Sequence, residues 1–95
     1  MFTTLAEVSI EELSKFISVF ATRGAAMRAK HVSRGAQVLG SAEDASTVYV
    51  LIDWESREAF DRFRSDPEVP PTMKSGGATK PPKFTVVNRV ASFPA

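Results

Sequence analysis

The sequence predicts an α+β fold of the ferredoxin-like type, a βαββαβ chain whose two helices cover one face of a four-stranded antiparallel sheet. Three observations lead there. The elements read along the chain come in the order strand, helix, strand, strand, helix, strand. A length of 95 residues makes residues 1–95 a single domain, too short for a second core. The most strand-like stretch, TVYVLIDW at 47–54, carries apolar groups on both of its faces, and two helices can cover only one.

Each element has its own signal. Phe2 to Val8 (FTTLAEV) is rich in β-branched and aromatic residues, with Phe2, Thr4, Ala6 and Val8 on one side, and reads as the first strand. Ser9 then opens S-I-E-E, which predicts a capping box in which Ser9 and Glu12 each accept from the other's amide, with Val8 and Leu13 stapled beside it. Ile10, Leu13, Phe16, Ile17 and Phe20 recur at three- and four-residue spacing, so the first helix buries that face and continues to about Lys30. Ala36 to Leu39 is the second strand, closed by Gly40 and the polar turn SAEDAS. Along the third, Val48, Val50, Ile52 and Trp54 face one way and Thr47, Tyr49, Leu51 and Asp53 the other. Ser56 caps a second helix that buries Ala59, Phe60 and Phe63 and stops near Ser65-Asp66-Pro67. Pro70 or Pro71 starts a short extra turn ended by Gly76 and Gly77. After a Lys-Pro-Pro-Lys break, KFTVVNRVASF alternates Phe84, Val86, Asn88 and Val90 with Thr85, Val87, Arg89 and Ala91 as the last strand.

Composition excludes several classes of function. Hydrophobic residues are 43% and charged residues 24%, the balance of a folded globular chain. Twelve basic against eleven acidic side chains give a net charge of +1, too small a field to gather nucleic acid or anionic lipid. With no cysteine and a single histidine, His31, there is no thiolate nucleophile and no set of ligands for a metal site. The start, MFTTLAEVSIEEL, has no basic segment followed by an apolar run, and no run reaches the ~20 residues of a membrane span, so a cytoplasmic protein is expected. The uncovered sheet face points to a homodimer: Tyr49 and Leu51 with Val87, or Val48, Val50 and Ile52 with Val86, are too apolar to face water. Pairing two such sheets also stabilises a chain whose own core is small.

The run from Ala25 to Pro94, above all GAAMRAKHVSRGAQVL, VYVLIDWESREAFDRFRSDPEV and MKSGG, resembles the antibiotic biosynthesis monooxygenase-like family of dimeric α+β barrel proteins. Its most telling part is a strand closed by Trp54, then Glu55-Ser56, then Ala59, Phe60, Phe63, Ser65, Asp66 and Pro67. The resemblance identifies a scaffold, since the family spans cofactor-free oxygenases of polyketide aromatics, haem-degrading enzymes, quinone-forming enzymes and members without known activity. Its haem-degrading branch carries a second Trp where this chain has Phe63, an iron-ligating His where it has Met73, and an Asn near Thr4. The resemblance therefore implies no haem and no other cofactor.

What it does imply is a cofactor-independent monooxygenase-like protein acting on a small phenolic or polyketide-like aromatic. Such a site needs an apolar cavity, a base or polar anchor, and a donor for an oxyanion. Trp54 would supply an aromatic wall, Tyr49 a donor to a ketone, Asn88 or Arg89 a contact to an anion, and His31 the base. Each also has a structural reading: Trp54 and Tyr49 as core or interface aromatics, His31 as a helix C-terminal residue, Arg89 as the partner of a surface carboxylate. Without a convergent acid–base pair, the alternative is a non-catalytic ligand-binding or accessory homodimer of the same fold. Asp53 and Glu55 lack accompanying metal ligands, and MKSGGATK is Gly-rich and basic but lacks the spacing of a phosphate loop. The cluster Arg23, Arg28, Lys30, His31 and Arg34 has no exposed aromatic platform beside it and reads as a solvated helix end, not a nucleic-acid site.

Overall fold

A computed structural model describes all of residues 1–95. Its elements are β1 (Phe2–Ser9), α1 (Leu13–Ala21), α2 (Arg23–Lys30), β2 (Ser33–Gly40), β3 (Thr47–Trp54), α3 (Arg57–Ser65), α4 (Val69–Ser75) and β4 (Lys83–Val87). The sheet runs β2-β3-β1-β4 with every neighbouring pair antiparallel, the ferredoxin-like order that the sequence predicts.

Register decides which face is which. Thr4 pairs with Ile52, Ala6 with Val50 and Val8 with Val48, and all six are buried beneath the helices. One residue out of step, Leu5 pairs with Leu51 and Glu7 with Tyr49, while Leu39 lies opposite Tyr49 and Val87 opposite Thr3. This second set forms the open face, where Leu5, Tyr49, Leu51 and Val87 are only half-buried and Leu39 is 49% exposed. Of the two dimer faces the sequence allows, the one bearing Tyr49, Leu51 and Val87 is therefore free.

Trp54 locks the covered face. It is completely buried, its Nε1 donates to Thr4 Oγ1 at 3.0 Å, and its ring sits 4.7 Å from Phe63 and 5.8 Å from Phe60. Strand pairing, the indole hydrogen bond and the α3 aromatics thus meet at one side chain, with its polar atom satisfied.

The first helical region departs from expectation. Ser9 ends β1, its carbonyl accepts from Thr79 N at 2.9 Å, and Ile10 bridges to Ala78, so the chain is still extended where the capping box would form. The helix starts at Leu13 with Glu12 before it and no side-chain cap, because sheet pairing outcompetes a local turn at Ser9. Leu13 and Ile17 are 48% and 42% exposed, leaving Phe16 as the buried residue of α1. Nor is the helix continuous: Thr22 adopts non-helical angles and its hydroxyl donates to Ser18 O at 2.8 Å. Gly24 lets the next turn fold close, since a Cβ there would lie 3.2 Å from Val19 O.

The other elements differ at their ends. β2 begins earlier than Ala36, with an irregularity between Ser33 and Gly35, and β4 ends at Val87, so Asn88 to Ala95 leave the sheet with Val90 and Phe93 exposed. Ser56 does cap α3, accepting from Ala59 N at 3.1 Å. Ser56→Ala should therefore cost about 0.5–2 kcal/mol in urea unfolding. Ser9→Ala, by contrast, should stay within about 0.5 kcal/mol, and a larger loss there would show that Ser9 caps α1 after all.

Candidate functional site

Between the covered face and the roof made by α1, α2 and α4 lies an apolar cavity of about 70 Å³. Ala6, Val8, Val50 and Ile52 form its floor, Phe16, Phe20 and Met27 its roof, and Phe63, Met73 and Phe84 its sides. The helices on either side of the break at Thr22 both line this space, through Phe16, Val19 and Phe20 before it and Gly24, Met27 and Arg28 after it. Phe63 and Met73, the positions at which the haem-degrading branch has Trp and His, both face it.

Two polar side chains reach the wall, and both are engaged. Arg28 lays its guanidinium 3.8 Å above the Phe20 ring and donates from Nη1 to Phe20 O at 3.0 Å, satisfying a carbonyl in the last turn of α1. Burial lowers its pKa from the ordinary arginine value, though a guanidinium stays charged. Thr72 Oγ1 donates to Glu68 O at 2.8 Å. No carboxylate and no imidazole lines the cavity.

The four residues singled out in the sequence do not meet at this cavity. Trp54 lies behind it, touching Phe63 from the core side. Tyr49 is on the open face, separated from the cavity by the sheet itself. Asn88 is exposed beyond the end of β4. His31 is buried at the end of α2, edge-on to Phe63 at 6.0 Å, with Nε2 2.7 Å from Asp66 Oδ2. The neighbouring Arg89 pairs with Asp53, which also accepts from Thr3 Oγ1 at 2.7 Å; the Arg89 contact and then the Thr3 contact hold the Asp53 carboxyl below its usual range.

Asp66 enters the sequence reading only as a helix stop and as part of the family resemblance, although Ser-Asp-Pro marks a turn in which an aspartate accepts from the backbone two residues on. Its Oδ1 takes the Glu68 amide at 2.9 Å, and its Oδ2 takes Lys30 Nζ at 2.9 Å as well as His31 Nε2. The Glu68 amide above all, then His31 and Lys30, hold the Asp66 carboxyl far below the usual carboxylate range. An ionised Asp66 can only accept, so Nε2 donates in this contact. Val32, at φ 57, turns the chain after His31 and presents its carbonyl to Glu55 N at 3.1 Å. A β-branched residue rarely adopts that conformation, so the corner is held by its contacts.

A small α+β protein with an apolar pocket between sheet and helices is the class that this fold and cavity define. Residues 1–74 match the antibiotic biosynthesis monooxygenase family, and the chain belongs to it. Among solved structures it is similar to SnoaB, a cofactor-independent oxygenase from Streptomyces nogalater, with a TM-score of 0.74 and 19% identity over 99% of this chain and 97% of that one. A protein from Bordetella bronchiseptica assigned as an antibiotic biosynthesis monooxygenase gives 0.73 and 20% over 95% and 97%. Rv0793 from Mycobacterium tuberculosis gives 0.66 and 18% over 96% of each chain. No curated protein matches the chain. No helix is long and apolar enough to cross a membrane.

Asp66 yields a pH prediction. Below pH ~4 an unfolded aspartate takes up a proton that folded Asp66 refuses, so acid draws the equilibrium toward the unfolded chain. The wild-type urea midpoint should fall between pH 5 and pH 3, and Asp66→Asn should start lower and fall less. Parallel pH profiles for the two proteins would show that Asp66 carries no such linkage.

Proposed function

We propose that this protein binds a small electron-rich aromatic in the cavity beneath α1, α2 and α4 and, as a cytoplasmic homodimer, oxygenates it without a cofactor. The observation that supports the reading most is the cavity wall, apolar except for Arg28 and Thr72, in a chain whose family includes the oxygenase likeness described above. With no acid–base pair on that wall, the substrate must do most of the chemistry. An ionised phenol supplies the electrons, one oxygen atom of O₂ enters the ring system as a carbonyl, and the other leaves as water with the two displaced hydrogens. The pocket's part is to select the ring, exclude water and steady the anion.

The resting cavity is under half the ~150 Å³ of an engineered cavity that takes benzene, so a ring needs it to open. Met27 in the roof and Met73 in the side wall, both flexible side chains, are the groups able to give way. The roles first assigned to His31, Tyr49, Trp54 and Asn88 become indirect in this proposal. Trp54 and His31 brace Phe63 from behind, Tyr49 serves the dimer face, and Asn88 lies in the tail that follows β4.

A second reading is a ligand-binding or accessory homodimer without turnover, favoured by the absence of a carboxylate or imidazole on the cavity wall. Oxygen-electrode traces with a panel of phenols and hydroxynaphthalenes separate the two. The oxygenase consumes O₂ with one or more bound phenols and leaves them unchanged under anaerobic conditions. Saturable binding across the panel without O₂ uptake would establish the accessory reading instead.

The dimer has its own test. Leu51 sits centrally on the open face and Val50 beside it in the covered core. If about 800 Å² per subunit is buried, an unpaired charge at its centre should cost about 3–5 kcal/mol. Leu51→Asp should yield folded monomer by light scattering, while Val50→Asp should unfold the chain. A Leu51→Asp protein with unchanged mass would place the interface elsewhere.

A further inference from the structure

We infer that the cavity opens into a cationic mouth and that the ligand is a small aromatic acid, its ring against the apolar wall and its anionic group among Arg64, Lys74 and Lys80. This rests on the cavity being the ligand pocket, and it specifies the substrate class. A groove of about 360 Å³ between the end of α3, α4 and the segment Ala78 to Pro82 shares Val69, Met73 and Phe84 with the cavity. Those three side chains are therefore a common wall between an inner apolar space and an outer charged one. The inner space must open to take a ring, and Met73, one of the side chains able to give way, stands on this shared wall.

The charged residues of the groove are all of one sign. Arg64, Lys74 and Lys80 line it, and no carboxylate does. None of the three takes part in an ion pair; Arg23, Arg28, Arg62 and Lys83 are unpaired as well, but Arg64, Lys74 and Lys80 line one groove together. On the other side of α4, the groove between Arg23 and Pro71 sets Arg23 beside Glu68, with no such excess of one sign. The segment MKSGGATK, basic and Gly-rich without the spacing of a phosphate loop, thus has a place: its two lysines flank a groove with an apolar floor.

The groove is also formed in advance. Ala78 N donates to Met73 O at 3.1 Å, Thr79 N to Ser9 O at 2.9 Å, and Pro81 and Pro82 stiffen the approach to β4. Arg64 lies 5.7 Å from the centre of the Phe84 ring, which places a guanidinium at the edge of the surface a ligand ring would cover. Binding there would order little new chain, leaving charge and ring contact as net attraction.

The test uses 2-naphthoate against its neutral counterpart 2-naphthamide, titrated by calorimetry into the intact protein. Wild type should bind naphthoate at least about tenfold more tightly, the weight of one charge-assisted contact, and added salt should reduce the difference. The exposed double variant Lys74→Ala/Lys80→Ala should lose that preference while binding naphthamide as before, and the remote Arg34→Ala should keep it. Equal affinities in wild type, a preference that survives the double variant, or no binding of either probe would overturn the inference. Oxygen uptake is measured separately: charge-dependent binding without uptake leaves this inference standing and removes the oxygenase reading.

Discussion

One constraint organises this molecule: β3 lies inside the sheet with apolar side chains on both faces, while the chain has helices for only one. Strand alternation sends Val48, Val50, Ile52 and Trp54 under the helices and Tyr49 and Leu51 to the other side. Everything else follows from how each face is satisfied. The covered face has a helical roof and a lock, and the open face leaves Leu5, Leu39, Tyr49 and Leu51 without a cover from this chain.

The lock and the roof are of different kinds. Trp54, hydrogen-bonded to Thr4 and packed on α3, is filled solid, with no room for a ligand. At the other end the roof is broken at Thr22, and the gap between α1, α2 and α4 is the cavity. Arg28 repairs the break by bonding Phe20 O, and Asp66 joins the end of α2 to the start of α4 through Lys30, His31 and the Glu68 amide. The sheet and α3 thus support a roof assembled from short pieces.

The succession of strands along the chain, the alternation of β3 and the Ser56 cap were all legible in the sequence, because each depends on local periodicity or on residues within one turn. The Ser9 capping box was legible too and wrong, since pairing of Ser9 and Ile10 with residues 78 and 79 is a long-range event that no local pattern reports. For the same reason the helix break was missed: Ala25, Ala26 and Ala29 favour helix, and the non-helical turn at Thr22 and the close approach of Gly24 to Val19 show only in three dimensions. The candidate cavity was the least legible part. His31, Tyr49, Trp54 and Asn88 are the chemically conspicuous residues, yet the cavity is lined by phenylalanines and methionines that read as ordinary core until a gap is found among them. Arg64, Lys74 and Lys80 come together only when α3, α4 and the loop to β4 are placed side by side.

The central claim is that the two faces of one sheet serve two purposes, a ligand on one and a second copy on the other. Solvent paramagnetic relaxation measured on the methyl groups tests it directly, with exposed Leu13 as the reference. The account predicts that the Leu5, Leu39 and Leu51 methyls of the wild-type protein are shielded from the probe, as Val48, Val50 and Ile52 are. Broadening of Leu39 and Leu51 as strong as that of Leu13 would contradict it, for the open face would then be open in solution.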